Sequence, residues 1–93
     1  MRKQIAAANW KMNLSLTQAE SLTKEISETD IKVSSDQLVV LAVPFPYLEK
    51  VQILTAGNPG FAVAAQNCAA TKNGAYTGEV SAQMLMEMGI PYV

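Results

Sequence analysis

Histidine is absent from the 93 residues. That removes Ser-His-Asp triads, Cys-His nucleophile pairs, imidazole acid–base work and the commonest metal ligand from this chain. Cysteine is represented once, by Cys68, which cannot close an internal disulfide. The fold is therefore not disulfide-stapled, and a reducing compartment fits. The five glycines fit neither a G-x-G-x-x-G nor a Walker-type loop, so no glycine-rich phosphate cradle is written here. Paired metal-ligand spacings are missing as well, and no metal is expected. Charge of one sign is not in excess. Seven basic and eight acidic residues leave a net charge of -1, which excludes a strongly basic nucleic-acid binder. No apolar run approaches a membrane span. The opening run, Ile5 to Ala8, is cut by Asn9-Trp10-Lys11 well short of a signal peptide's apolar region. The expectation is a soluble cytoplasmic protein with no nucleic-acid and no membrane partner. What the chain does have is apolar content of 49% against 16% charged residues, enough to build a core.

The apolar segments come in a regular order. Residues 4–10 read as a first strand, weakly supported because alanine is a poor strand former. Ser15 or Thr17 can cap a following helix, in which Ala19, Leu22 and Ile26 recur at helical spacing. Glu20 precedes Lys24 by four positions, the favourable order for an ion pair on that helix. The helix should fade near Thr29–Asp30. Leu38 to Val43 is the clearest strand, apolar on both faces as in a parallel sheet covered on both sides. Pro44-Phe45-Pro46 ends it, and Pro46 suits the first position of a second helix. Tyr47, Leu48, Val51 and Leu54 give that helix a buried stripe, and Gly57-Asn58-Pro59-Gly60 stops it. Phe61 to Ala65 is a third strand. After an Asn73-Gly74 turn, a third helix is expected from about Gly78-Glu79, with Val80, Met84, Leu85 and Met88 on one side. Gly89 suits a left-handed C-cap, Ile90 the accompanying apolar contact, and Pro91 blocks continuation. Tyr92-Val93 begins another strand.

The pattern is β-α-β-α-β-α-β with no internal linker, which implies right-handed crossovers and a parallel α/β sheet. Ending on the first residues of a buried strand is unusual for a complete domain, because it leaves unpaired backbone and apolar surface. Residues 1–93 are therefore expected to be the incomplete N-terminal portion of a single, longer domain.

Parallel α/β proteins bind ligands at the carboxyl ends of their strands. The residues there are Asn9 and Lys11, then Pro44-Phe45-Pro46, then Gln66 and Asn67. Strand alternation puts Ile5, Ala7, Asn9 and Lys11 on one face and Ala6, Ala8, Trp10 and Met12 on the other. Lys11 is isolated, with no other charge between Lys3 and Glu20. It either snorkels to water or a loop carboxylate, or it holds an anionic ligand such as a phosphate ester or an enolate. Gln66 and Asn67 could bond a ligand, but amides here more often tie down loop backbone. Glu79 could act as a base, though a carboxylate in the first turn of a helix more simply complements the helix dipole. Cys68 reads as a small buried thiol and Trp10 as packing. Met84, Met86 and Met88 alternate by two and do not all three share one helix face, so they read as core filler or interface surface.

Five blocks carry a family resemblance. Ala8-Asn9-Trp10-Lys11-Met12-Asn13 resembles the opening signature of the triosephosphate isomerases. Val43-Pro44-Phe45-Pro46-Tyr47-Leu48 and Ala65-Gln66-Asn67-Cys68 continue it. Gly74-Ala75-Tyr76-Thr77-Gly78-Glu79-Val80-Ser81 and Met88-Gly89-Ile90-Pro91-Tyr92-Val93 complete it in the family's order and spacing. The first and fourth blocks are long and specific.

The resemblance implies the N-terminal segment of a (β/α)8 barrel of the TIM type. It implies interconversion of dihydroxyacetone phosphate and glyceraldehyde 3-phosphate in glycolysis and gluconeogenesis, with neither cofactor nor metal. It also implies a homodimer. Lys11 matches the family's catalytic lysine, which offsets charge on the substrate and the enediolate, and Asn9 the neighbouring substrate-binding asparagine. Gly74 to Ser81 matches the loop that reaches into the partner subunit. Thr77, flanked by Tyr76, Gly78 and Glu79, would brace the partner's active site, and Met12 would line the pocket receiving that loop. The family's histidine and glutamate base match nothing in this chain, so the 93 residues alone are expected to be inactive. A barrel of this class needs roughly 250 residues. The rival reading is a non-catalytic barrel fragment acting only as an assembly or binding module. A flavodoxin-like domain is disfavoured, because Asn9-Trp10-Lys11 is too bulky for its phosphate loop.

Overall fold

A computed structural model describes residues 2–29 and 32–93. Three strands, β1 (Gln4–Asn9), β2 (Gln37–Val43) and β3 (Phe61–Ala65), form one parallel sheet in the order β1-β2-β3. Helices α1 (Leu16–Glu28), α2 (Leu48–Thr55) and α3 (Ala82–Glu87) alternate with them. A fourth strand is present only as a parallel bridge from Tyr92 to Ala64, in which the Ala65 N–H donates to Tyr92 O at 3.0 Å. This is the strand–helix alternation expected of the N-terminal part of a (β/α)8 barrel.

Register brings the strand exits level. Asn9 pairs with Ala42, and Val43 pairs with Ala65. The two faces of the sheet differ. Trp10, Leu41, Val43, Val63 and Ala65 pack with Ala19, Leu48, Val51, Leu85 and Ile90 into one buried core under the helices. Burying each of the three leucines contributes about 1.5–3 kcal/mol. On the opposite face Leu38, Val40 and Ala64 form a smaller cluster that includes no residue of a described helix. The even alternation of β1 follows: Ala8 leans on the helical core, while Ile5, Ala7 and Asn9 line the open side.

Helix α1 starts at a capping box. Ser15 Oγ accepts from the Gln18 N–H at 3.2 Å, and Gln18 Oε1 accepts from the Ser15 N–H at 2.9 Å. Its helical residues end at Glu28 with Thr29 as C-cap; Asp30, where the sequence also allowed the end to fall, lies outside the described residues. The buried stripe is Ala19 and Thr23, whose hydroxyl donates to Ala19 O at 2.7 Å, with Leu22 and Ile26 half-buried beside it. Glu20 does not wait for Lys24: it meets Lys50 of α2 at 3.1 Å, tying two packed helices together.

Two helix starts differ from expectation. Pro46 opens no α-helix; it sits within a 3-10 turn, Phe45–Tyr47, that precedes α2. The Tyr47 N–H reaches back to Pro44 O at 2.9 Å, so the tight turn satisfies the backbone before the wider helix begins. Helix α3 begins at Ala82, not near Gly78-Glu79. Gly78 is left-handed (φ 91°), and the Ala69 N–H donates to Val80 O at 2.7 Å, holding that segment extended. Ser81 then caps the helix by accepting from the Met84 N–H at 3.2 Å. Glu79 consequently lies before the cap, outside any first helical turn. Of the expected stripe only Leu85 is buried; Val80 packs on the core from outside the helix, and Met84 and Met88 are exposed. Gly89 is left-handed (φ 79°) as expected of a helix stop, and Ile90 is buried behind it.

Candidate active site at the strand exits

Beyond Asn9 the strand conformation stops, and the backbone turns sharply. Lys11 adopts φ 56° and Leu14 φ 77°. An L-residue in this region costs roughly 1–2 kcal/mol, so something must hold it there. Asn9 Oδ1 accepts from the Lys11 N–H at 2.9 Å. Gln66, just past β3, donates through Nε2 to Lys11 O at 2.9 Å and to Ala42 O at 3.0 Å. Asn13 Nδ2 donates to Trp10 O at 3.0 Å, and the Tyr47 hydroxyl donates to Leu14 O at 2.7 Å. The turn is therefore held by groups from β1, from the residue after β3 and from the start of α2. Trp10, 9% exposed, anchors it from below in the helical core.

This arrangement has chemical consequences. With Oδ1 engaged by Lys11, the Nδ2 donor of the Asn9 carboxamide has no partner among the described residues. Lys11 is exposed. A cation and an amide donor at one strand exit suit an anionic oxygen ligand. Below them, on the open face, Ile5, Ala7, Val40 and Ala42 line a hollow of about 350 Å³ whose upper rim carries Asn9 and Gln66.

The sequence-derived candidates fall on two loops. Asn9, Lys11 and Met12 lie after β1, and Met12 is 94% exposed. Tyr76, Thr77, Gly78 and Glu79 lie between β3 and α3, all exposed. The Asn9 side chain meets the Lys11 backbone N–H, but Lys11 leaves the strand alternation that suggested that the two side chains project together. Gln66 and Asn67 do tie down backbone, Asn67 Oδ1 accepting from the Cys68 N–H at 2.9 Å. Cys68 is half-buried against the core. The left-handed backbone of Lys11 and the Tyr47–Leu14 contact were not anticipated. The pair of asparagines flanking Trp10-Lys11-Met12 was the available signal, since asparagine often braces such turns. Among the described residues no group of three or more histidine, cysteine or carboxylate side chains could hold a metal ion. No described helix is long and apolar enough to cross a membrane.

Parallel strands alternating with helices are the architecture of the N-terminal part of a β/α barrel. Residues 4–93 match the sequence model of the family described as triosephosphate isomerase. The chain belongs to the triosephosphate isomerase family. It is 43% identical over 94 residues to the triosephosphate isomerase of Bacteroides fragilis, covering all of this chain and 37% of that protein. It is 43% identical over 96 residues to that of Entamoeba histolytica, covering 99% of this chain and 36% of the relative. With that of Mycoplasma mobile the identity is 41% over 98 residues, covering 100% of this chain and 39% of the relative. The chain thus spans a little over a third of the length of the relatives it matches.

Proposed function

We propose that this chain is the N-terminal portion of a single (β/α)8 barrel domain that interconverts dihydroxyacetone phosphate and D-glyceraldehyde 3-phosphate. The reaction removes a proton from the carbon beside a carbonyl, and negative charge develops on oxygen as the enediolate forms. Lys11 offsets that charge together with the charge of the phosphate. Asn9 donates through Nδ2 to a substrate oxygen. The single observation that carries this reading is the Asn9–Lys11 contact at the exit of β1, in a chain that matches the family over residues 4–93.

The proton-transferring base and the group that polarises the carbonyl are contributed from outside these 93 residues, which contain no histidine. The isolated chain is accordingly inactive, and the enzyme works without cofactor or metal. The working form is a homodimer. Exposed Tyr76, Thr77, Gly78 and Glu79 insert beside the partner's Met12, and the bare surfaces of Met12, Met84 and Met86 support such a contact. A cytoplasmic location agrees with the single unpaired Cys68.

The test is Lys11→Met in the full-length protein. Turnover of both triose phosphates should fall by several orders of magnitude, with thermal unfolding nearly unchanged. Retained turnover removes Lys11 from the site. Purified residues 1–93 should show no isomerisation above buffer, and measurable turnover there overturns the division of labour.

A further inference from the structure

We propose that Gln66 is a positioning residue for Lys11, acting through the lysine's own backbone. The inference rests on the proposed role of the Lys11 ammonium beside the substrate. Lys11 is left-handed at φ 56°, a conformation its side chain does not favour. Both polar groups of its backbone are engaged by side chains: the N–H by Asn9 Oδ1, and the carbonyl by Gln66 Nε2 at 2.9 Å. Asn9 is a neighbour two residues away at the end of β1, so its bond is local. Gln66 is fifty-five positions distant and joins the turn to the exit of another strand.

The second bond of the same amide shows what Gln66 fixes the turn to. Its other N–H donates to Ala42 O at 3.0 Å, and that carbonyl also accepts from the Trp10 N–H at 3.0 Å. One amide group thus spans the exits of all three strands. It links the turn after β1 to the end of β2 from the residue that follows β3. A shorter amide, attached at the same backbone position, would not reach both carbonyls. A carboxylate would offer them oxygen in place of N–H. With the link gone, the Lys11 carbonyl loses its long-range anchor, and the backbone can relax toward ordinary dihedrals. The ammonium would swing with it.

The experiment uses the full-length protein with Gln66→Met and Gln66→Glu, each in the wild-type and Lys11→Met backgrounds. Two quantities are read: kcat/KM for dihydroxyacetone phosphate, and the affinity for glycerol 3-phosphate, its unreactive reduced analogue. In the wild-type background Gln66→Met should lower kcat/KM by about tenfold to a hundredfold, the range a small misplacement of a reacting group produces. It should also weaken glycerol 3-phosphate. In the Lys11→Met background the same substitution should leave that affinity unchanged, because no ammonium remains to be misplaced. Gln66→Glu should behave alike near neutral pH and recover part of the loss as its carboxyl is protonated and regains a donor. Equal weakening in both backgrounds, or no loss in kcat/KM, overturns the proposal while leaving Lys11 in the site. If Lys11→Met alone keeps full turnover, the reading of the site itself falls, and the positioning role falls with it.

Discussion

Asn9 Oδ1 stands 2.9 Å from the backbone nitrogen of Lys11, so the asparagine serves the lysine's backbone before it serves any ligand. Under the proposed function the two ends of one carboxamide have separate jobs: Oδ1 holds the turn, and Nδ2 serves a substrate oxygen.

The two jobs are separable by substitution. Asn9→Asp keeps an acceptor for the Lys11 N–H but loses the Nδ2 donor and adds negative charge beside an anionic substrate. Asn9→Ala loses both ends. In the full-length protein, Asn9→Asp should depress kcat/KM at least as strongly as Asn9→Ala. Its thermal stability should stay closer to wild type, by about 1 kcal/mol, the net worth of one hydrogen bond. The reverse order of stabilities would show that the Asn9–Lys11 bond does not hold the turn.

A second consequence concerns the loop between β1 and α1. Tyr47 precedes α2, yet its hydroxyl reaches Leu14 O at 2.7 Å, and Leu14 is the other left-handed residue of the loop. Tyr47→Phe keeps the ring in its half-buried place and removes only that bond. The expected cost is about 1 kcal/mol, read by thermal or urea unfolding. KM should rise more than kcat falls, because the loop carries the proposed ligand groups while Leu14 is not one of them. A purely thermal effect with unaltered kinetics would separate this loop anchor from the site.

How much of this was legible beforehand depends on which residues encode it. The strands were readable because β2 and β3 are continuous apolar runs that only a buried parallel sheet accommodates. Leu48, Val51 and Leu85 were likewise identifiable as core by spacing, while Trp10 was read simply as packing. Thr23 was not: a threonine reads as polar, but on α1 its hydroxyl is satisfied by Ala19 O one turn back, which lets its methyl be buried. The start of α3 was misplaced because Gly78-Glu79 looks like a helix entry. The extended bridge between Ala69 and Ser81 is a pairing across twelve residues, invisible to local pattern. Asn9 and Lys11 were paired by strand alternation, which does not describe their arrangement. Strand alternation ends at Asn9, and a side-chain-to-backbone bond makes the contact.

The cap of α1 yields a stability prediction independent of the site. Ser15 Oγ is the partner of the Gln18 N–H, while the Gln18 amide covers the Ser15 N–H. Ser15→Ala uncovers one helical donor and leaves the reciprocal bond possible. The expected loss is about 1 kcal/mol, a shift of roughly 2–4 °C in Tm for a protein of the relatives' size. Calorimetry of the full-length variant checks it, and kcat/KM should stay within twofold of wild type. An unchanged Tm would mean that the capping box contributes nothing to helix stability.

On the proposed dimer, Thr77 offers the sharpest test of the loop between β3 and α3. Within one chain it is exposed and adjoins left-handed Gly78, so a larger side chain meets no obstacle to folding. At a tight contact with a second subunit, Thr77→Arg would bury a guanidinium with no arranged partner. Losing about 3 kcal/mol of association free energy raises a dissociation constant about a hundredfold. Sedimentation velocity of the full-length variant should therefore show monomer at concentrations where wild type is dimeric. Activity should fall along with association and recover in part at higher protein concentration, since the loop would brace the partner's Asn9 and Lys11. A sedimentation profile identical to wild type would place Thr77 outside the interface. A monomer with full activity would keep the interface but deny the loop any part in supporting the site.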